Sequence, residues 1–186
     1  MRSLVRGMCW ILAGLLVGCA TSSEPVAVSY DTASEQTVYE TGGMQLGDID
    51  IATGLTRQIE FQVHVVGACQ GKDCAPTRYE LEFGKRGPQP VQLPGRDVSL
   101  QIGSETITWR DPQNREVDRG TQIRSGTFAR VDLTPKQLST LANASDVDGT
   151  VGGIRFELSY EEREPLRRLL SRLEKTESEK EEASSS

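Results

Sequence analysis

Apolar and polar residues alternate with a period of two through "RQIEFQVHVV". Ile59, Phe61, Val63 and Val65 fall on one side, and Gln58, Glu60, Gln62 and His64 on the other. That pattern predicts a half-buried strand. It returns in "TRYELEFG", where Tyr79, Leu81 and Phe83 oppose Glu80 and Glu82. The two runs flank "GACQGKDCAP", and a hairpin with its turn between them is the simplest arrangement. "VSLQIGSETITW" predicts a second hairpin about Gly103-Ser104, with Val98, Leu100 and Ile102 on one arm and Ile107 and Trp109 on the other. "TQIRSGTFARVDL" adds another strand or bent pair, with Gly126 a candidate bulge. "IRFELS" adds one more, with Ile154, Phe156 and Leu158 inward.

A helical period appears only late. In "LTPKQLSTLANAS", Thr134 and Gln137 have capping-box spacing around Pro135, and Leu138, Leu141 and Ala142 share a face. "SDVDGTVGG" then ends that helix. Ser159 and Glu162 form a second capping box ahead of Leu166, Leu169, Leu170 and Leu173. Pro165 lies beyond the first turn from that cap, which predicts either a kink or a delayed start. The whole is a mainly β domain, a small antiparallel sandwich or partly open barrel with two short helices in the C-terminal half.

The ends read differently. Residues 20–45 are rich in Ser, Thr, Glu and Gly without a sustained apolar period, and predict a flexible tether with one edge strand at Val26 to Tyr30. Residues 46–173 hold the domain. Residues 174–186 carry five acids, two lysines and no large apolar residue, and predict a disordered tail. The leucine stripe at 166–173 fits a core face or a partner site.

The N-terminus supplies an address. Arg2 and Arg6 precede the apolar run Met8 to Val17, which is about half of the roughly 20 residues that a membrane-spanning helix needs. The run ends in Leu16-Val17-Gly18-Cys19, which resembles the lipobox of bacterial lipoproteins. The resemblance implies that residues 1–18 are removed as a signal peptide, Cys9 with them. It also implies that Cys19 carries a diacylglyceryl thioether and an acylated amine, so that the chain is held to a membrane through that lipid. Ala20 stands where an Asp would retain such a protein at the inner membrane, so the resemblance favours the outer membrane.

Charge narrows the partners. The net charge is −6; Arg2 and Arg6 leave with the signal and no acid does, so the mature chain is near −8. Such a chain repels nucleic acid, and no basic aromatic patch compensates. After export Cys69 and Cys74 meet an oxidising compartment, which predicts a disulfide that staples the hairpin turn.

Candidate chemistry is sparse. His64 is the only histidine, so a Ser-His-Asp or Cys-His hydrolase would have to use it. His64, Cys69 and Cys74 are too few for a closed zinc site. Asp146, Asp148 and Gly149 match a fragment of a calcium loop, but the twelfth position is Glu157 in a strand. Glu80 and Glu82, about 7 Å apart on one strand face, have a spacing known from glycosidases and equally that of a wet sheet face. No catalytic residue, metal or cofactor is assigned. The reading is a non-enzymatic envelope lipoprotein that works through a protein partner. The alternatives are a module for a small apolar or glycan ligand, and a hydrolase using His64.

Overall fold

The computed structural model describes residues 25–46, 60–72, 74–87, 91–92, 97–110, 122–123 and 126–184. Cys19, its lipobox and Ile59 lie outside them. The larger antiparallel sheet has the order β1 (Val26–Asp31), β2 (Gln36–Thr41), β4 (Glu60–Gln70), β5 (Tyr79–Arg86) and β10 (Gly126–Leu133), with β3 (Met44–Gln45) following β2 along β4. A second sheet has the order β12 (Ile154–Glu157), β11 (Val147–Val151), β7 (Val98–Ile102) and β8 (Glu105–Trp109). The short strands β6 (Val91–Gln92) and β9 (Gln122–Ile123) pair with each other.

The mainly β, two-sheet architecture is therefore as the alternation predicts, without barrel closure. Phe61, Val63, Val65, Leu81 and Phe83 from the large sheet and Val98, Leu100, Ile102 and Phe156 from the small one share one core. Phe83 meets Phe156 across the sheets at 5.7 Å between ring centres. The hairpin turns follow residue chemistry. Gly103, at φ +60, takes the first position of the two-residue β7–β8 turn. Gly152 and Gly153, both at positive φ, make the β11–β12 turn. The bulge in β10 falls between Thr127 and Ala129, just after Gly126. It leaves Phe128 and Ala129 both buried, with Phe128 edge-on to Phe61 at 5.8 Å.

Both helices bury the faces their spacing predicts. In α1 (Pro135–Asn143) Leu138, Leu141 and Ala142 are buried, and Thr134 and Gln137 exchange both capping-box bonds. Ser159 and Glu162 exchange theirs too, yet α2 (Glu164–Ser184) begins two residues later with Pro165 in its first turn, so the start is delayed. Leu166, Leu169 and Leu173 are buried, and Leu170 is half-buried, which makes the stripe a core face.

Arg163, in the turn before α2, is fully buried. Its guanidinium donates to the carbonyls of Leu141, Ala144 (2.8 Å) and Ser145 (3.1 Å) and, through Nε, to that of Ser159 (3.0 Å). A cation thus terminates α1 where its last carbonyls have no helical partner. Burial, and then the neighbouring Arg167, hold the Arg163 guanidinium below its usual pKa. Tyr160 lies under the Arg167 guanidinium at 3.7 Å.

Three sequence expectations are corrected. The edge strand expected at Val26 to Tyr30 is β1, but the residues after it are not a flexible tether: they form β2 and β3, with Tyr39, Thr41 and Met44 buried. At the Gly42–Gly43 break between β2 and β3, the Thr41 hydroxyl accepts the Val65 N–H (2.9 Å) in place of a backbone carbonyl. Residues 174–184 are not disordered but the last turns of a 21-residue α2, so this helix is not short. There Lys175 pairs with Glu179 one turn on, and the Thr176 and Ser178 hydroxyls bond carbonyls four residues back. Finally, 147–151, within the segment expected only to end the helix, is strand β11: the Phe156 ring lies over Gly149 and takes the place of a side chain there.

Candidate functional site

The β4–β5 hairpin pairs Glu60 with Arg86 and Gly67 with Tyr79, and this register sets His64 opposite Glu82. β10 sets Arg130 opposite the other side of Glu82. A row of three charged or titratable residues therefore crosses the outer face of the large sheet. Glu82 Oε1 accepts from Arg130 Nε at 3.0 Å. Its Oε2 lies 3.2 Å from His64 Nε2 and accepts from Thr127 Oγ1 at 3.1 Å. The neighbours leave the Glu82 side chain only 11 % exposed, although its strand face is the wet one.

Beside this row lies a recess of about 320 Å³, bordered by Glu40, Thr41, Gly43, Gln62, His64, Gly84, Arg86 and Thr127. Lys85 contributes to its wall but alternates with Phe83 to the buried side. There its ammonium donates to the Gly87 carbonyl at 2.9 Å, and burial pushes its pKa down. A second recess of about 350 Å³ on the small sheet is bordered by Ser99, Gln101, Thr106, Asp148, Thr150 and Arg155. Both offer hydrogen-bond donors and acceptors on an open strand surface.

Cys69 and Cys74 are joined, with sulfurs 2.10 Å apart. Cys69 is the last residue but one of β4 and Cys74 lies in the following loop. The loop is tied to β2: the Thr37 hydroxyl donates to the Gly71 and Lys72 carbonyls, and the Tyr39 hydroxyl to that of Cys74 at 2.9 Å. Tyr79, opposite Gly67, has a phenol pushed up to about 12 by burial, Glu177 and Tyr39.

His64 and Cys69 are five residues apart on one strand and so face opposite sides. The structure thus separates the two, and it does not assemble His64 with the cysteines as metal ligands. Asp148 lies opposite Glu157 in the β11–β12 ladder rather than in a loop. Among the described residues no group of three or more His, Cys, Asp or Glu is placed to hold a metal. Glu80 pairs with Val66 and Asp132, apart from the contacts of Glu82. Alternation puts Glu82 on a solvated face and does not join it to His64, because the join depends on hairpin register. The capping role of Arg163 left no spacing signal at all.

The chain matches no family model, no curated protein and no solved structure.

Proposed function

We propose that this protein is a lipid-anchored lipoprotein of the bacterial envelope, held at the outer membrane through Cys19, whose β domain works by contact with another envelope protein. The observation that carries this reading is Leu16-Val17-Gly18-Cys19 behind Arg2, Arg6 and a short apolar run. The joined Cys69 and Cys74 agree with an oxidising compartment. Among the described residues no helix is long and apolar enough to cross a membrane. Two or three acyl chains hold a protein stably where one would not. Replacing Cys19→Ser tests the reading: the chain should leave the membrane fraction or keep its signal. Unchanged processing and fractionation would remove the proposal.

The polar recess beside His64 favours a second reading, a module for a glycan. The apolar alternative has less support, since Val63, Val65, Leu81, Phe83 and Leu100 fill the interior with no exposure. A hydrolase gains nothing from the cluster: Thr127 and His64 both reach Glu82, whereas an activated hydroxyl would bond the histidine. Titration of a soluble chain with oligosaccharides, followed by amide shifts at Gln62, His64 and Thr127, separates a glycan module from a protein-contact domain.

A further inference from the structure

A lipid on Cys19 would fix where the domain sits, because the tether is far shorter than composition implies. The Pro25 carbonyl accepts the Gly42 N–H at 2.9 Å, and β1 begins at the next residue. At Pro25 the chain enters the large sheet. Between Cys19 and Pro25 there are six Cα steps, which span at most about 20 Å whatever conformation they take. A domain of this size has a diameter of roughly 40 Å. A leash half as long as the body cannot let the body turn its attachment edge away from the surface.

We propose that the β1 edge of the large sheet lies against the lipid head groups of the membrane that holds Cys19; this rests on the lipoprotein reading above. Two features of β1 fit that partner independently of the leash. First, β1 is an edge strand whose one strand neighbour among the described residues is β2. Its sequence, Val26 to Asp31, has no Lys, no Pro and no charge before the last residue. Soluble proteins blunt such edges with charge, Pro or a bulge, because an open ladder recruits other strands. An edge turned to a bilayer needs none of these, since no soluble strand reaches it. Second, Val28 is 42 % exposed, and Val26 and Tyr30 on the same strand face are half-buried. The first five residues of β1, Val-Ala-Val-Ser-Tyr, carry no charge, which suits zwitterionic head groups; among the described residues the nearest acids are Asp31 at the end of the strand, Glu35 in the turn and Glu40, opposite Ala27 on β2. Partner proteins would then approach the remaining surface, including the outer face of the small sheet.

The test uses the full lipidated chain in phosphatidylethanolamine–phosphatidylcholine vesicles that carry a head-group quencher. In the Val28→Cys variant the Cys69–Cys74 bridge is closed and the Cys19 thiol is acylated, so a fluorophore attaches at position 28 alone. Intact mass and vesicle flotation establish the anchor in the same sample. The expected result is strong quenching at position 28, lost in large part when about twenty Gly/Ser residues are inserted between Ser23 and Glu24, since such a linker adds on the order of 25 Å of mean reach. In a lipidated chain that floats, weak quenching at position 28, or quenching unchanged by the insertion, would overturn the apposition and leave the anchor standing. A chain without lipid would remove the anchor and the apposition together.

Discussion

Replacing Arg163→Met removes the cation that joins the two helices and keeps most of the side-chain volume. Arg163 has no exposure, and its donors reach the carbonyls of Leu141, Ala144, Ser145 and Ser159. Hydrogen bonds to a charged group contribute about 1.5–3 kcal/mol each. Four of them would exceed 6 kcal/mol if they simply added, but burying the guanidinium costs several kcal/mol that the variant recovers. Water can also reach the Ala144, Ser145 and Ser159 carbonyls, whose bonds are only part-buried, whereas the Leu141 bond is buried. The balance is a loss of about 3 kcal/mol, a large share of the roughly 5–15 kcal/mol that a domain has. Urea unfolding of the signal-free chain with Cys19→Ser, followed by far-UV circular dichroism, reads this as a lower midpoint at unchanged slope. Arg163→Lys should fall between the two, because one ammonium cannot span carbonyls from residues 141 to 159. A Met variant within about 0.5 kcal/mol of the parent would refute the helix-joining role.

The Gly149→Ala variant should lose about 2 kcal/mol, because its Cβ would stand 2.3 Å from the Phe156 ring; the cost should shrink in a Phe156→Leu background, as urea midpoints of the four chains would show. Glu35, at φ +52 in the β1–β2 turn, should gain about 0.5–1 kcal/mol when changed to Gly, read as a higher melting temperature. Tyr79 holds its proton to about 12 in the fold, against about 10 in an unfolded chain. The phenol's contribution is therefore complete below pH 10 and lost as pH rises to 12. Urea midpoints across that window should fall by an amount worth roughly 2–3 kcal/mol, and less steeply in Tyr79→Phe.

What could be read from the chain depended on whether a signal was local. The Thr134–Gln137 cap, the Gly103 turn and the alternation through Phe61, Val63 and Val65 are decided by neighbours in sequence, and each is found where its spacing puts it. β1 matches the edge strand expected at Val26 to Tyr30, whereas β2 is obscured because its inward positions include Thr37 and Thr41, which bury hydroxyls by bonding carbonyls and an N–H of other segments. The end of α2 was obscured because composition alone says nothing of the core-packed leucines that precede it, and a helix nucleated on Leu166, Leu169 and Leu173 extends at low cost. The candidate site was only half visible. His64 and Glu82 stood out as residue types, but their contact follows from the pairing of Glu60 with Arg86 and each step after it. A shift of one residue in that register would have turned Glu82 inward.

The most direct measurement is the intact mass of the chain extracted from membranes. The expected value is that of residues 19–186 plus acyl groups, less two hydrogens for the Cys69–Cys74 bond. A mass that retains residues 1–18, or lacks any acyl increment, would contradict the lipid anchor, and with it the place of the β1 edge against the membrane.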